Sequence, residues 1–426
     1  MTRSPRSFRW PLIGALAVAL VSAASLLAAR DDGGRAPELD APADVPVPEV
    51  AALPIADPDL VEYLRAARHA DERGDPLLRC LAFPAWPGNA WPEGLEDAHC
   101  HLLFDPVPSL AEVRATLDTG DVPALEARYA ALLDRHFAAA APDEAIHQAL
   151  ARFDLSADAD VQSARWLELA PASAWARMAR GAHLHAVASH LLEDGESGPT
   201  APADRAAGAA LAVDAAALYR EALAIDPRLL PAHAGLADLA LAIGDDAGAA
   251  AALVAGEALD PACLTLARTR VAQLGPRHGG TVEAAHAWLA TLRATHPARV
   301  LLALAAADEA LAGGRSMLRH ERFAEAQVEL RPALTGTTAP EAFEEAAIAA
   351  VRAPAPDHDA ALGMLVAASR YQPGRTVVRE LRARLLMQAG ERAWAMLILN
   401  DVPAEPVAMS RLLAAGPRRA AEPLPR

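Results

Sequence analysis

At 426 residues the chain has room for two domains or one extended array, and 53% of it is apolar although only 18 residues are aromatic. Alanine and leucine supply most of that apolar fraction, which suits closely packed helices better than a β-sandwich. All 39 basic residues are arginine, which excludes a Walker-A loop, a kinase ATP lysine, a pyridoxal Schiff base and an SxxK nucleophile, while a net charge of −16 argues against a nucleic-acid partner.

Arg3, Arg6 and Arg9 precede an uncharged apolar run at 10–29, and Arg30, Asp31 and Asp32 follow it. A basic flank before about 20 apolar residues is the pattern of a signal peptide or a single transmembrane anchor. Residues 1–30 are therefore expected to send the body across the inner membrane of a bacterium, into the periplasm. If uncleaved, 10–29 would hold it at that membrane. Residues 31–57 read as a linker, with prolines at 37, 42, 46, 48 and 54 and no helical period.

Residues 58–109 read as a small irregular unit. A helix is expected to start near Asp57-Pro58 and to fade at Gly74. Cys80 and Cys100 flank a stretch with Pro84, Pro87, Gly88, Pro92 and Gly94, which argues against regular helix. In an oxidising compartment these cysteines are expected to pair, constraining the unfolded chain by about 3 kcal/mol; two free thiols are the alternative. Trp86 and Trp91 read as plugs on neighbouring helices. The next helix is expected after Pro108, capped by Ser109.

From 110 to 415 the chain reads as helix after helix, in two blocks, 110–300 and 301–415, with a tail at 416–426. Apolar residues recur at helical spacing, as in Leu125, Tyr129, Leu132 and Leu133. Breaks are expected at Gly120, Pro142, Pro171, Pro227, Gly244, Pro261, Gly279-Gly280, Pro297, Gly313-Gly314, Pro340, Pro354, Pro373 and Gly390. Asp226-Pro227 and Asp260-Pro261 lie 34 residues apart, and Pro340 and Pro373 lie 33 apart.

That period, with Ala215, Tyr219, Ala222 and Leu223 before Pro227 and Gly244-Asp245 at an inter-helix turn, resembles tetratricopeptide repeats. The match is firmest over 210–261 and loosest over 165–209, where a loop at 193–204 is inserted. The order of motifs is also similar to a bacterial domain family of unassigned function. That family has a Trp before a P-x-S-x-A-x-x-A-R-G helix (here Arg180-Gly181) and a Pro-Arg-Trp-Gly-Gly turn after its repeats. In this chain the turn is Pro276, Arg277, His278, Gly279, Gly280, with histidine for tryptophan. The resemblance implies an all-α solenoid of helical hairpins. Inner-helix positions such as Ala234, Asp238 and Leu241 would line its concave, partner-binding face.

The candidate chemical sites divide as follows. His99, Cys100 and His101 with Cys80 are metal-ligand types, but the spacing lacks the paired pattern of a structural zinc site. His183, His185 and His190 share one helix without converging on one face. Cys263 reads as a small apolar core residue. The turn with Arg277, His278, Gly279 and Gly280 could present amides and a guanidinium to an anion, with Arg180 nearby, or simply satisfy a left-handed turn. Glu344 and Glu345 read as a solvated face. No HExxH, GxSxG or GxGxxG occurs. The expectation is a non-enzymatic interaction scaffold, without metal or cofactor, for a neutral or basic protein partner. A ligand-binding or enzymatic anion site at the 276–280 turn is the alternative.

Overall fold

The computed structural model describes residue 55 and residues 57–138, 144–192 and 200–400. These form nineteen α-helices and two 3-10 segments within one compact unit, with no strand among the described residues. The all-α expectation therefore holds for them. The 10–29 segment, nearly all of the 31–57 linker, most of the 193–204 loop and the 416–426 tail lie outside them. No helix among the described residues is long and apolar enough to cross a membrane.

Helix α1 (Pro58–Asp71) starts where the sequence puts it. The Asp57 carboxylate accepts the amides of Asp59 and Leu60, and Pro58 takes a first-turn place where its missing N–H costs nothing. The proline-rich stretch that follows holds more helix than expected. Asp75 caps α2 (Pro76–Ala82), again with proline in the first turn, and α3 (Leu95–Phe104) follows left-handed Gly94. Only residues 83–94 are irregular. Pro76 suits a helix start, whereas Pro84, Pro87 and Pro92 fall in the irregular residues, where a proline would interrupt a helix. Helix α4 (Leu110–Thr119) opens on a full capping box: Ser109 accepts the Glu112 amide while the Glu112 side chain accepts the Ser109 amide.

Helices α5 (Val122–Ala138), α6 (Ala145–Leu150), α7 (Ala157–Leu169), α8 (Ala174–Leu192), α9 (Pro202–Ile225) and α10 (Leu230–Ala242) bury one shared core, from Val113 to Leu239. Trp166 and Tyr129 are its bulky centre, and fully buried alanines such as Ala176, Ala215 and Ala222 let the helices approach closely. Tyr219 packs its ring on Gly181 of α8 and Gly235 of α10. Gly244, at φ 79°, turns the chain from α10 into α11 (Asp246–Glu257), and α12 (Leu264–Leu274) begins 34 positions after α10.

The chain continues through a 3-10 turn (Pro276–His278), α13 (Val282–Thr295), a second 3-10 segment (Val300–Ala306), α14 (Ala307–Arg319), α15 (Phe323–Gly336), α16 (Pro340–Arg352), α17 (His358–Tyr371), α18 (Thr376–Gln388) and α19 (Arg392–Asn400). One expected break is absent: α14 runs through Gly313-Gly314. A Cβ on Gly314 would stand 2.6 Å from Leu330, so the glycine serves close approach of α14 to α15 rather than a turn. Glu344 and Glu345 are not a solvated face either. Glu344 is buried against Arg375, and Glu345 pairs with Arg315. Burial raises the Glu345 carboxyl above its usual range, against the pull of Arg315.

In a one-dimensional repeat array each unit touches only its neighbours. Here α1–α3 join α15–α19, some 300 positions away. Leu60, Tyr63 and Leu64 share a core with Phe343, Leu365, Leu386 and Trp394. Trp86 meets both Tyr63 and Phe343 edge-on, and Trp91 meets Phe343 while its indole N–H donates to the Leu334 carbonyl. Both tryptophans are thus plugs, and what they seal is the junction between the two sequence ends of the described chain.

Candidate functional site

Cys80 and Cys100 form a disulfide, with Cα atoms 5.7 Å apart. It joins α2 to α3 and lies buried beside Tyr371 of α17. The two histidines beside Cys100 point elsewhere. His101 Nδ1 meets Asp105 at 2.9 Å, whereas His99 is buried, stacked on the Tyr371 ring with its Nδ1 2.8 Å from the Thr338 hydroxyl. This segment therefore gathers no metal-ligand set.

Burial pushes the His99 imidazole down from 6.5 to about 3, helped by the nearby charges of Arg268 and Arg370. Its folded pKa lies below its unfolded one, so the unfolded chain takes up the proton first on acidification. The stabilisation is complete above about pH 6.5 and falls toward pH 3, by up to about 1.4 kcal/mol per pH unit. The variant His99→Gln should flatten that part of the urea midpoint against pH. An unchanged slope would assign it to other groups.

The three histidines of α8 do not converge. His183 bonds the Asp154 carbonyl, His185 reaches Asp238 at 2.8 Å, and His190 is exposed. Arg180 is committed to Asp160 at 2.5 Å and to the Ser163 hydroxyl at 3.3 Å. Ala234 and Leu241 are buried in the core, so they line no open groove; of the three inner-helix candidates only Asp238 is exposed. Small apolar side chains on an inner helix serve packing between hairpins before they serve a surface.

Three amides of the 276–280 turn are bonded within it. The His278 and Gly280 N–H groups both donate to the Gly275 carbonyl at 3.1 Å, and the Gly279 N–H donates to Pro276 at 3.3 Å. These three amides are thus not free for an anion, and Arg277 is exposed. His278 lies 3.5 Å from Asp246. Gly279 needs its φ of 80°, and a Cβ on Gly280 would fall 1.9 Å from the Leu274 carbonyl oxygen. Both glycines are thus required by the turn.

Cys263 is buried as expected, yet its surroundings are not wholly apolar. It forms the N-cap of α12, beside Leu230, Ala234 and Leu253. On its other side stand Glu144 and His147, one helical turn apart at the start of α6. The thiol sulfur is 3.5 Å from His147 Nε2 and 3.6 Å from Glu144 Oε2, and these two are 3.7 Å apart. The second Glu144 oxygen accepts the Leu264 amide at 2.9 Å. Burial raises the Cys263 thiol well above its usual range, with the Glu144 charge adding, and burial also lowers His147.

A second buried network adjoins this one. His136 Nε2 meets Asp260 at 3.0 Å, Arg299 reaches the other Asp260 oxygen at 2.8 Å, and the His136 and His147 rings lie 6.1 Å apart. Burial alone would raise Asp260, but its bonds from His136, the Ala262 amide and Arg299 outweigh that and hold it below the usual range. A cavity of about 170 Å³ opens beside Glu144, Leu264 and Arg299.

Sequence reasoning missed this trio. Its one local trace is Glu144-x-x-His147, an i,i+3 pair on one face; Cys263 comes from a segment over a hundred positions away. No family model matches the chain, and no curated protein emerges as a relative of it.

Proposed function

We propose that the chain is a tetratricopeptide-like scaffold that holds a neutral or basic protein partner in the bacterial periplasm, without chemistry of its own. The observation that carries this reading is the wedge of Tyr219 between Gly181 and Gly235, together with the 34-position step from the start of α10 to that of α12. A residue that spaces successive hairpins is the packing device of such repeats. The resemblance to the bacterial family with the Pro-Arg-Trp-Gly-Gly turn supports the same fold, with His278 in the tryptophan's place. The basic flank and apolar run at 1–30 support export or anchoring. Stacked helical pairs present broad surfaces, and the acidic balance of this chain favours partners that are not themselves acidic.

Asp238 is the exposed inner-helix position from which docking is best probed. Crosslinking from envelope fractions should capture a reproducible partner with the full chain. That partner should be lost with Asp238→Arg and retained with a charge reversal at exposed Glu62 on α1. Capture unchanged by Asp238→Arg would move the site elsewhere. No partner in the envelope would overturn the scaffold reading.

A further inference from the structure

We propose that Glu144, His147 and Cys263 form a binding site for a divalent transition-metal ion, zinc being the ion whose chemistry fits best. The inference is independent of the scaffold reading. A tetrahedral zinc with bonds of about 2.3 Å to sulfur and about 2.0–2.1 Å to nitrogen and oxygen sets its ligand atoms about 3.4–3.6 Å apart. The sulfur stands 3.5 Å from the nitrogen and 3.6 Å from the oxygen, within that range, and the nitrogen and oxygen are 3.7 Å apart, slightly wider. The three atoms already outline one face of such a tetrahedron.

The donor set is mixed sulfur, nitrogen and oxygen, which suits borderline zinc better than magnesium or calcium, which prefer all-oxygen cages. Charge gives a second argument. Glu144 is only 3% exposed, and its carboxylate's polar partners among the described residues are His147, the Cys263 thiol and the Leu264 amide, none of them an arginine. A buried carboxylate is costly unless a cation meets it. Binding expels the thiol proton to solvent, and the Cys263 thiolate and Glu144 carboxylate then balance the two positive charges of the ion. The loaded site is neutral, as its burial requires.

Position gives a third argument. Glu144 and His147 come from the start of α6, and Cys263 caps α12. An ion there would tie two segments that already meet through the Leu264 amide and the long thiol contacts to Glu144 and His147. The Leu264 amide fixes the Glu144 oxygen that does not face the thiol and so orients the other. Three protein ligands leave the fourth tetrahedral position to water or a small ligand, and Glu144 borders the cavity. The site is thus of the open kind.

The test uses the full chain with its disulfide intact, which leaves Cys263 as the one free thiol. Cobalt(II) is the probe, because a cysteine thiolate bound to it gives a charge-transfer band and a tetrahedral site gives strong visible absorption. We expect one cobalt per chain, displaced by zinc, with the charge-transfer band lost in Cys263→Ser. Zinc affinity should drop at least about 100-fold in His147→Gln and Glu144→Gln, more than outer-shell changes cost at known sites. Zinc should also raise the melting temperature of the parent chain by a few degrees and leave the variants unmoved. Circular dichroism checks that each variant is helical. Should Cys263→Ser not fold, zinc competition with His147→Gln decides. A folded parent chain that retains neither ion after dialysis would overturn the proposal, as would a charge-transfer band that survives in folded Cys263→Ser.

Discussion

Replacing Asp71 with alanine should destabilise the fold by about 3–5 kcal/mol, the usual cost of removing one partner from a buried ion pair. Asp71 is the last residue of α1, a place where a negative charge works against the helix dipole. Its reason for being there is tertiary. One carboxylate oxygen bonds both Arg382 of α18 and the Trp394 indole N–H of α19, the latter at 2.8 Å, and the other lies 3.2 Å from Arg79. Arg382 is itself buried, bonds the Ser369 hydroxyl at 2.7 Å and lies over the Trp394 ring. Removing the carboxylate leaves a buried guanidinium without its counter-charge. Replacing both partners by apolar residues, Asp71→Leu with Arg382→Met, should recover much of the loss, because no charge of the central pair is then stranded. Urea unfolding followed by helical circular dichroism reads both. A single variant within 1 kcal/mol of the parent would show that this network does not hold α1 to the last helices.

Tyr219→Ala should cost a similar amount, about 3–5 kcal/mol, by emptying the slot between α8 and α10. The more discriminating variant is Gly235→Ala. Its new Cβ would lie 2.5 Å from the Tyr219 ring, so overpacking should destabilise the parent chain by about 1–3 kcal/mol. In the Tyr219→Ala background the obstacle is gone. There alanine should stabilise, by up to about 1 kcal/mol, because it is the better helix former. The sign of Gly235→Ala is thus expected to reverse between the two backgrounds. Equal costs in both would mean that the glycine answers to something other than the tyrosine.

The sequence alone determined the features written in adjacent residues. The starts at Asp57-Pro58 and Ser109, the turn at Gly244 and the 34-residue step were all legible, because caps, turns and periodicity depend on neighbours a few positions apart. The Cys80–Cys100 pairing, expected from two cysteines 20 positions apart across a proline- and glycine-rich stretch, is formed. The same local rules erred where one residue type serves two ends. The prolines and glycines between Cys80 and Cys100 were read as excluding helix, yet Leu95–Phe104 is helical there, and Gly313 and Gly314 sit within a helix where glycine was read as a turn.

The tertiary structure decided which distant surfaces meet. No local pattern says that Asp71 needs Arg382, that Trp86 and Trp91 need Phe343, or that Glu144 and His147 need Cys263. Nor does it say that Ala234 and Leu241, placed on an inner face by the repeat resemblance, are core. Such partners are chosen by shape and charge complementarity between segments separated by hundreds of positions. Helical periodicity marks which face is apolar, but not which of many apolar faces it will meet.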